Sequence, residues 1–107
     1  MVPAEREFTI PLEGDSEIRI RAWRDGYGIT DFSVQLVTFI GDDYRGVVRY
    51  DCEHGRPHRD TLDWEGKTIR KTWMRSGITY NVAMSEAIAD LKTNQKRYIE
   101  DFKRGNV

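Results

Sequence analysis

The sequence predicts an α+β domain, an antiparallel β-meander of about four to six strands with one long C-terminal helix packed on one face. Three observations predict it. Apolar residues alternate with polar ones through the first two thirds, as in Phe8/Ile10/Leu12, Ile18/Ile20/Ala22 and Phe32/Val34/Leu36, the period of strands with one buried face. Gly and Asp recur between those runs, at Glu13-Gly14-Asp15, Arg24-Asp25-Gly26-Tyr27-Gly28, Gly41-Asp42-Asp43 and Glu65-Gly66, as tight hairpin turns require. From about Asn81 the apolar period changes to that of a helix.

The strands are expected at roughly 6–12, 16–24, 29–40, 44–52, 58–64 and 67–74. Pro11 lacks a backbone donor and therefore places the first of them at a sheet edge. In the last third Met84, Ala87, Ile88, Leu91, Tyr98, Ile99 and Phe102 form one stripe, with no Gly or Pro before Gly105, so a single amphipathic helix is expected over roughly 80–104, after a meander over roughly 1–76. Thr79 or Asn81 is the expected cap, and Lys103 and Arg104 suit the negative end of the helix dipole. The stripe should cover the sheet, placing Ile18, Ile20, Phe32, Val34, Leu36, Ile88, Leu91 and Phe102 in one core.

The chain has 107 residues, enough for a single domain over its whole length. Its 17 basic and 18 acidic side chains leave a net charge of −1, so the global field does not draw the chain to nucleic acid and any basic surface must be local. One cysteine excludes an internal disulfide. The stretch Met1-Val2-Pro3-Ala4-Glu5-Arg6-Glu7 is charged, with no apolar signal region, and no run approaches the roughly 20 apolar residues of a membrane helix. The expected location is cytoplasmic, with no membrane partner.

Chemistry concentrates in Tyr50-Asp51-Cys52-Glu53-His54-Gly55-Arg56-Pro57-His58-Arg59-Asp60, which holds both histidines and the cysteine in an expected strand-turn-strand. If Cys52 opposes His58, then Tyr50, Cys52, His58 and Asp60 share the apolar face, with His58 and Asp60 at the core rim near the Tyr50 hydroxyl. A one-residue slip would replace Tyr50 and Cys52 by Arg49 and Asp51. Three readings stay open. In one, His54 and His58 are the base and acid of phosphodiester cleavage, Asp51 substitutes for His54 if the turn points it away, Asp60 orients His58, Tyr50 donates to the phosphate, and Arg56 or Arg59 holds it, with no metal or other cofactor. In another, Asp51, His54, His58 and Asp60 ligate zinc or manganese. In the third, these groups close a tight hairpin and do nothing else.

The run from Val47 to Asp60 resembles the motif of the small TumE-type toxins of prokaryotic toxin-antitoxin pairs. Tyr50, Asp51, Gly55 and His58 match its pattern, while Cys52 stands where the motif has Asn and Asp60 where it has a final His. The resemblance implies a toxin that acts on RNA and is neutralised by a small antitoxin protein encoded beside it. Arg56, Arg59, Lys67, Arg70, Lys71 and Arg75, with Trp64 and Trp73 between them, offer cations for phosphates and rings for bases; Arg56, Arg59, Lys71 and Trp73 are the candidate RNA contacts. A solvated strand face would read the same way, since Asp63 and Glu65 interrupt the cations. A different class of function is also open, a noncatalytic module that docks a partner protein through the helix or a sheet edge.

Overall fold

The computed structural model describes residues 4–53 and 55–105, Glu53 by its backbone alone. Strands β1 (Ala4–Pro11), β2 (Ser16–Asp25), β3 (Gly28–Ile40), β4 (Asp43–Glu53), β5 (Arg56–Leu62) and β6 (Thr68–Trp73) precede one helix, α1 (Tyr80–Gly105). The strands form a six-stranded antiparallel sheet in sequence order, so the expected α+β meander is the observed architecture. Short connections make that order the natural one: Ile40 pairs with Asp43, and Gly41 between them takes the positive φ of 73° that a two-residue hairpin turn needs.

β1 is an edge strand, as Pro11 foretold, and Glu5, Arg6 and Glu7 place charge along it, which discourages pairing with another chain. β6 forms the other edge, and every one of its residues is exposed.

The helix lies over one face, chiefly across β3 and less over β4 and β5. Ile18, Ile20, Phe32, Val34, Leu36 and Val48 meet Ala83, Ala87, Leu91 and Phe102 in the core. The small side chains of Ala83 and Ala87, both fully buried, let the helix approach the sheet closely, which an apolar stripe read only for large residues overlooks. Ile88 packs against this core while partly exposed. Thr79 caps the helix, its Oγ1 accepting from the Val82 N–H at 3.3 Å and its carbonyl from the Ala83 N–H at 2.8 Å. Asn81 does something else: its Oδ1 accepts the Ile29 N–H at 3.2 Å and ties the start of the helix to β3.

Register shifts fall at Trp23/Arg24, Leu36/Val37 and Thr61/Leu62. A bulge opposite Leu36/Val37 shifts the β3–β4 register, so that Val47 and Val48, adjacent in sequence, are both buried. β5 stops at Leu62, and Trp64, expected within that strand, stacks on Phe102 of the helix at 5.7 Å with the planes 5° apart, while the Arg45 guanidinium lies 4.7 Å from its ring centre.

The β4–β5 register corrects the expected one. Asp51 opposes His58, Arg49 opposes Asp60 and Cys52 opposes Pro57. His58 and Asp60 therefore share the face of Arg49 and Asp51, away from the helix, and not that of Tyr50 and Cys52. Two physical reasons favour it. The pairing of Glu53 with Arg56 allows a two-residue hairpin with Gly55 at φ 79°. It also sets the imidazole and the carboxylate of β5 beside Arg49 and Asp51, which pair with them.

Leu91→Ala should destabilise the chain by about 2–5 kcal/mol, because Leu91 is fully buried at the centre of this packing; urea denaturation followed by circular dichroism measures it, and a loss below about 1 kcal/mol would show the helix to be loosely docked.

Candidate functional site

On the sheet face opposite the helix, His58 Nε2 lies 2.8 Å from Asp51 Oδ1 and 3.2 Å from Asp60 Oδ2. Arg49 joins the same carboxylates, Nε at 3.1 Å from Asp51 Oδ2 and Nη2 at 3.3 Å from Asp60 Oδ2. The alternation of two paired strands produces this set, since Arg49 and Asp51 of β4 stand directly across from Asp60 and His58 of β5. Nδ1 of His58 is 3.4 Å from the Arg56 carbonyl oxygen. These three ring contacts are all to oxygen atoms, one on Nδ1 and two on Nε2.

Burial separates the members. His58 is 0% exposed and the Asp60 side chain 4%, whereas the side chains of Asp51 and Arg49 are 29% and 34% exposed. Trp73 of β6 covers His58 edge-on, with ring centres 5.1 Å apart. Asp51 and Arg49 instead line an open cleft of about 390 Å3 bounded also by Trp23, Asp31, Ser33 and Lys71. Asp51 and the nearly buried Asp60, both on His58 Nε2, border that cleft, and Asp51 is the more exposed of the two. Asp60 Oδ1 is buried and finds no hydrogen-bond donor among the described residues.

Asp51, His58 and Asp60 also offer three ligand atoms within 4.8 Å of one another, an oxygen and nitrogen set suited to a divalent cation. The Arg49 guanidinium already bonds both carboxylates, and a cation would have to displace it. The fourth residue of that expected set, His54, lies outside the described residues.

Among the expected RNA contacts, Arg56 sits on the cleft side of β5, donating to the Met74 carbonyl at 3.1 Å with its guanidinium 5.3 Å from the Trp73 ring. Lys71 approaches the same ring at 5.4 Å, so two cations lie against the indole that was expected to stack on bases. Tyr50 and Arg59 point the other way, toward the helix. This is a correction for Tyr50, which cannot serve a site built on His58. Its hydroxyl donates to Asp90 Oδ2 at 2.7 Å. Asp90 also accepts from the Tyr98 hydroxyl at 2.7 Å and from Asn94 Nδ2 at 2.6 Å, and Arg59 donates to the Tyr98 oxygen at 3.0 Å.

The sequence did not single out Asp90 as a site residue. Its signal was the spacing of Asp90, Asn94 and Tyr98, which places three polar groups on one helix stripe beside the apolar one. Burial works to raise the Asp90 pKa, but the donors Tyr50, Tyr98 and Asn94 and the Arg59 charge outweigh it and the net displacement is downward. Burial, reinforced by hydrogen bonding to Asp90, pushes the Tyr50 hydroxyl up. Burial also pushes the Cys52 thiol up to about 12, leaving it an inert core side chain near neutral pH.

The family described as Domain of unknown function (DUF7718) matches residues 3–107. The chain belongs to that family. No curated protein and no solved structure matches it. Membership in DUF7718 carries no assigned activity, so what the Asp51 cleft does has to be argued from its own geometry.

The Asp90 cluster generates a pH dependence. A carboxyl depressed in the fold contributes stability above its unfolded pKa, near 4, and loses it as pH falls through the folded value. Raised groups behave oppositely, so Cys52 and Tyr50 contribute stability that is lost as pH rises from about 9, the thiol responding first. Melting temperature against pH should therefore show a plateau with two falling limbs. Asp90→Asn should flatten the acid limb, Cys52→Ala the onset of the alkaline one and Tyr50→Phe its upper part; acid limbs that superimpose for wild type and Asp90→Asn would show the cluster to be energetically idle.

Proposed function

We propose that this member of DUF7718 is a toxin-like protein that cleaves RNA on the sheet face opposite its helix, with Asp51 as the group that exchanges protons with substrate. The supporting observation is the position of Asp51, bonded to buried His58 on one side and open to the Arg49 and Lys71 cleft on the other. Asp51 would take the proton of a ribose 2′-hydroxyl. The 2′ oxygen then attacks the adjacent phosphorus, the bond to the 5′ oxygen breaks, and that oxygen takes a proton from solvent in the open cleft. Arg49 and Lys71 lie where phosphate charge develops. No metal enters this scheme.

His58 acts in it as a positioning residue. It is too deeply buried to touch RNA, and its role is to hold Asp51 in place, with Asp60 and Arg49 completing the set. Among the described residues of 18 or more in a helix, no stretch is long and apolar enough to cross a membrane; we place the activity in the cytoplasm, where RNA and a small antitoxin encoded nearby would be its partners.

One observation favours a second reading. Full burial of His58 in a network with its own ion partners is also what a purely structural clamp requires, and the chain would then be a noncatalytic module docking a partner protein through the helix or an exposed sheet edge.

Expression without any antitoxin, with growth and total RNA followed, separates the two. Asp51→Asn should reduce cleavage by roughly 10²–10⁴-fold with its melting temperature retained. His58→Gln should lower kcat and shift the pH profile while leaving KM nearly unchanged, a pattern that loss of folding alone does not give. Equal RNA cleavage by folded wild type and folded Asp51→Asn would remove the catalytic claim, and no cleavage by wild type on any RNA would leave the docking module.

A further inference from the structure

On the other side of the sheet, between the C-terminal half of the helix and strands β4 to β6, lies a second cavity of about 560 Å3. Three elements each bring one guanidinium to it: Arg59 from β5, Arg70 from β6 and Arg97 from α1. We propose that this cavity binds a nucleoside monophosphate, a function separate from the Asp51 cleft on the opposite face.

The charge balance of the cavity points to an anion. Neither Arg70 nor Arg97 forms an ion pair among the described residues; Arg97 rests against the Tyr98 ring at 5.2 Å. Arg59 donates through Nη1 to the Tyr98 oxygen at 3.0 Å and lies 3.9 Å from Asp90, while its buried Nε has no acceptor among the described residues. Two carboxylates, Asp63 and Asp101, border the cavity against the three arginines, which leaves its lining one net positive charge. Asp63 Oδ1 accepts the backbone N–H groups of Glu65 and Lys67 at 2.8 and 2.9 Å, and Asp101 pairs with Arg104 at 3.7 Å. Three permanently charged arginines in the lining of one cavity offer planar forks of the kind that bind phosphate oxygens bidentately.

The rest of the lining argues for an organic group attached to that phosphate. Val47, Leu62 and Phe102 supply an apolar wall, and Ile69 beside them is 65% exposed, an uncovered large aliphatic side chain at the cavity mouth. The volume falls within the range of small-molecule sites, roughly 300–1,000 Å3, far beyond the needs of a bare phosphate ion. An aromatic base against the apolar wall, with its phosphate among the guanidiniums, satisfies both parts of the lining.

Calorimetric titration of the full chain with AMP, GMP, CMP, UMP, ribose 5-phosphate and inorganic phosphate tests this. At least one nucleotide should bind with a Kd below about 1 mM and at least about tenfold more tightly than inorganic phosphate or ribose 5-phosphate. The exposed pair Arg70→Gln/Arg97→Gln should weaken that binding by about tenfold or more with the melting temperature unchanged, and Lys92→Gln, away from the cavity, should not alter it. Should the double variant unfold, the single variants and amide shifts at residues 69, 70 and 97 on nucleotide addition replace it. No nucleotide binding, equal binding of phosphate and nucleotides, or undiminished binding in the folded variants would each overturn the proposal, while leaving RNA cleavage at Asp51 to stand or fall on its own assay.

Discussion

The pairing of Asp51 with His58 across β4 and β5 is the constraint on which both faces of this domain depend. Side chains alternate along each strand, so that one pairing decides which groups meet the helix and which face the open cleft. Turning β5 over by one residue would press His58 and Asp60 against the apolar surface of Val34 and Val48, and would take both away from Arg49 and Asp51. The observed register gives each buried polar group a partner on its own side. Buried or half-buried ion pairs add little when compared with apolar packing, but breaking one partner out of such a set is costly. The network therefore selects a register more than it adds stability.

The two networks stand back to back. Tyr50 lies between Arg49 and Asp51 in sequence and points to Asp90, while its neighbours point to the cleft; Arg59 lies between His58 and Asp60 and points to Tyr98. A rotation or slide of either strand would break hydrogen bonds on both faces together. The helix is thus held to β4 and β5 by directional bonds as well as by the apolar stripe that holds it to β3, which fixes its orientation where apolar contact alone would tolerate sliding.

Much of the fold was legible because period-two burial, glycine turns and a helical stripe are local signals. Ile18, Ile20, Phe32, Val34 and Leu36 declared the buried face, Pro11 the edge and Thr79 the start of the helix. Register was less legible, since it was settled by a two-residue turn together with charge pairing across strands, neither visible in one strand's alternation. Tyr50 was assigned the wrong neighbours for that reason. The bulge that buries both Val47 and Val48 breaks the period itself. Asp51, His58 and Asp60 were recognisable as a group because a hairpin brings sequence neighbours together, whereas Asp90 meets Tyr50 across 40 positions, a distance over which no spacing pattern speaks.

Burial of His58 limits the chemistry open to this face. An imidazole with 0% exposure cannot be one of two histidines that meet the substrate directly; of the two carboxylates on its Nε2, both of which border the cleft, Asp51 is the more exposed. The cover over the imidazole is the weakest part of the enclosure. Trp73 is 44% exposed, is the last residue of β6, and β6 is an edge strand with no buried residue. Strand ends with few buried contacts open at low free-energy cost compared with the core. Access to the imidazole is therefore governed by the sheet edge, and the hairpin that carries His58 stays closed beneath it, pinned on both faces.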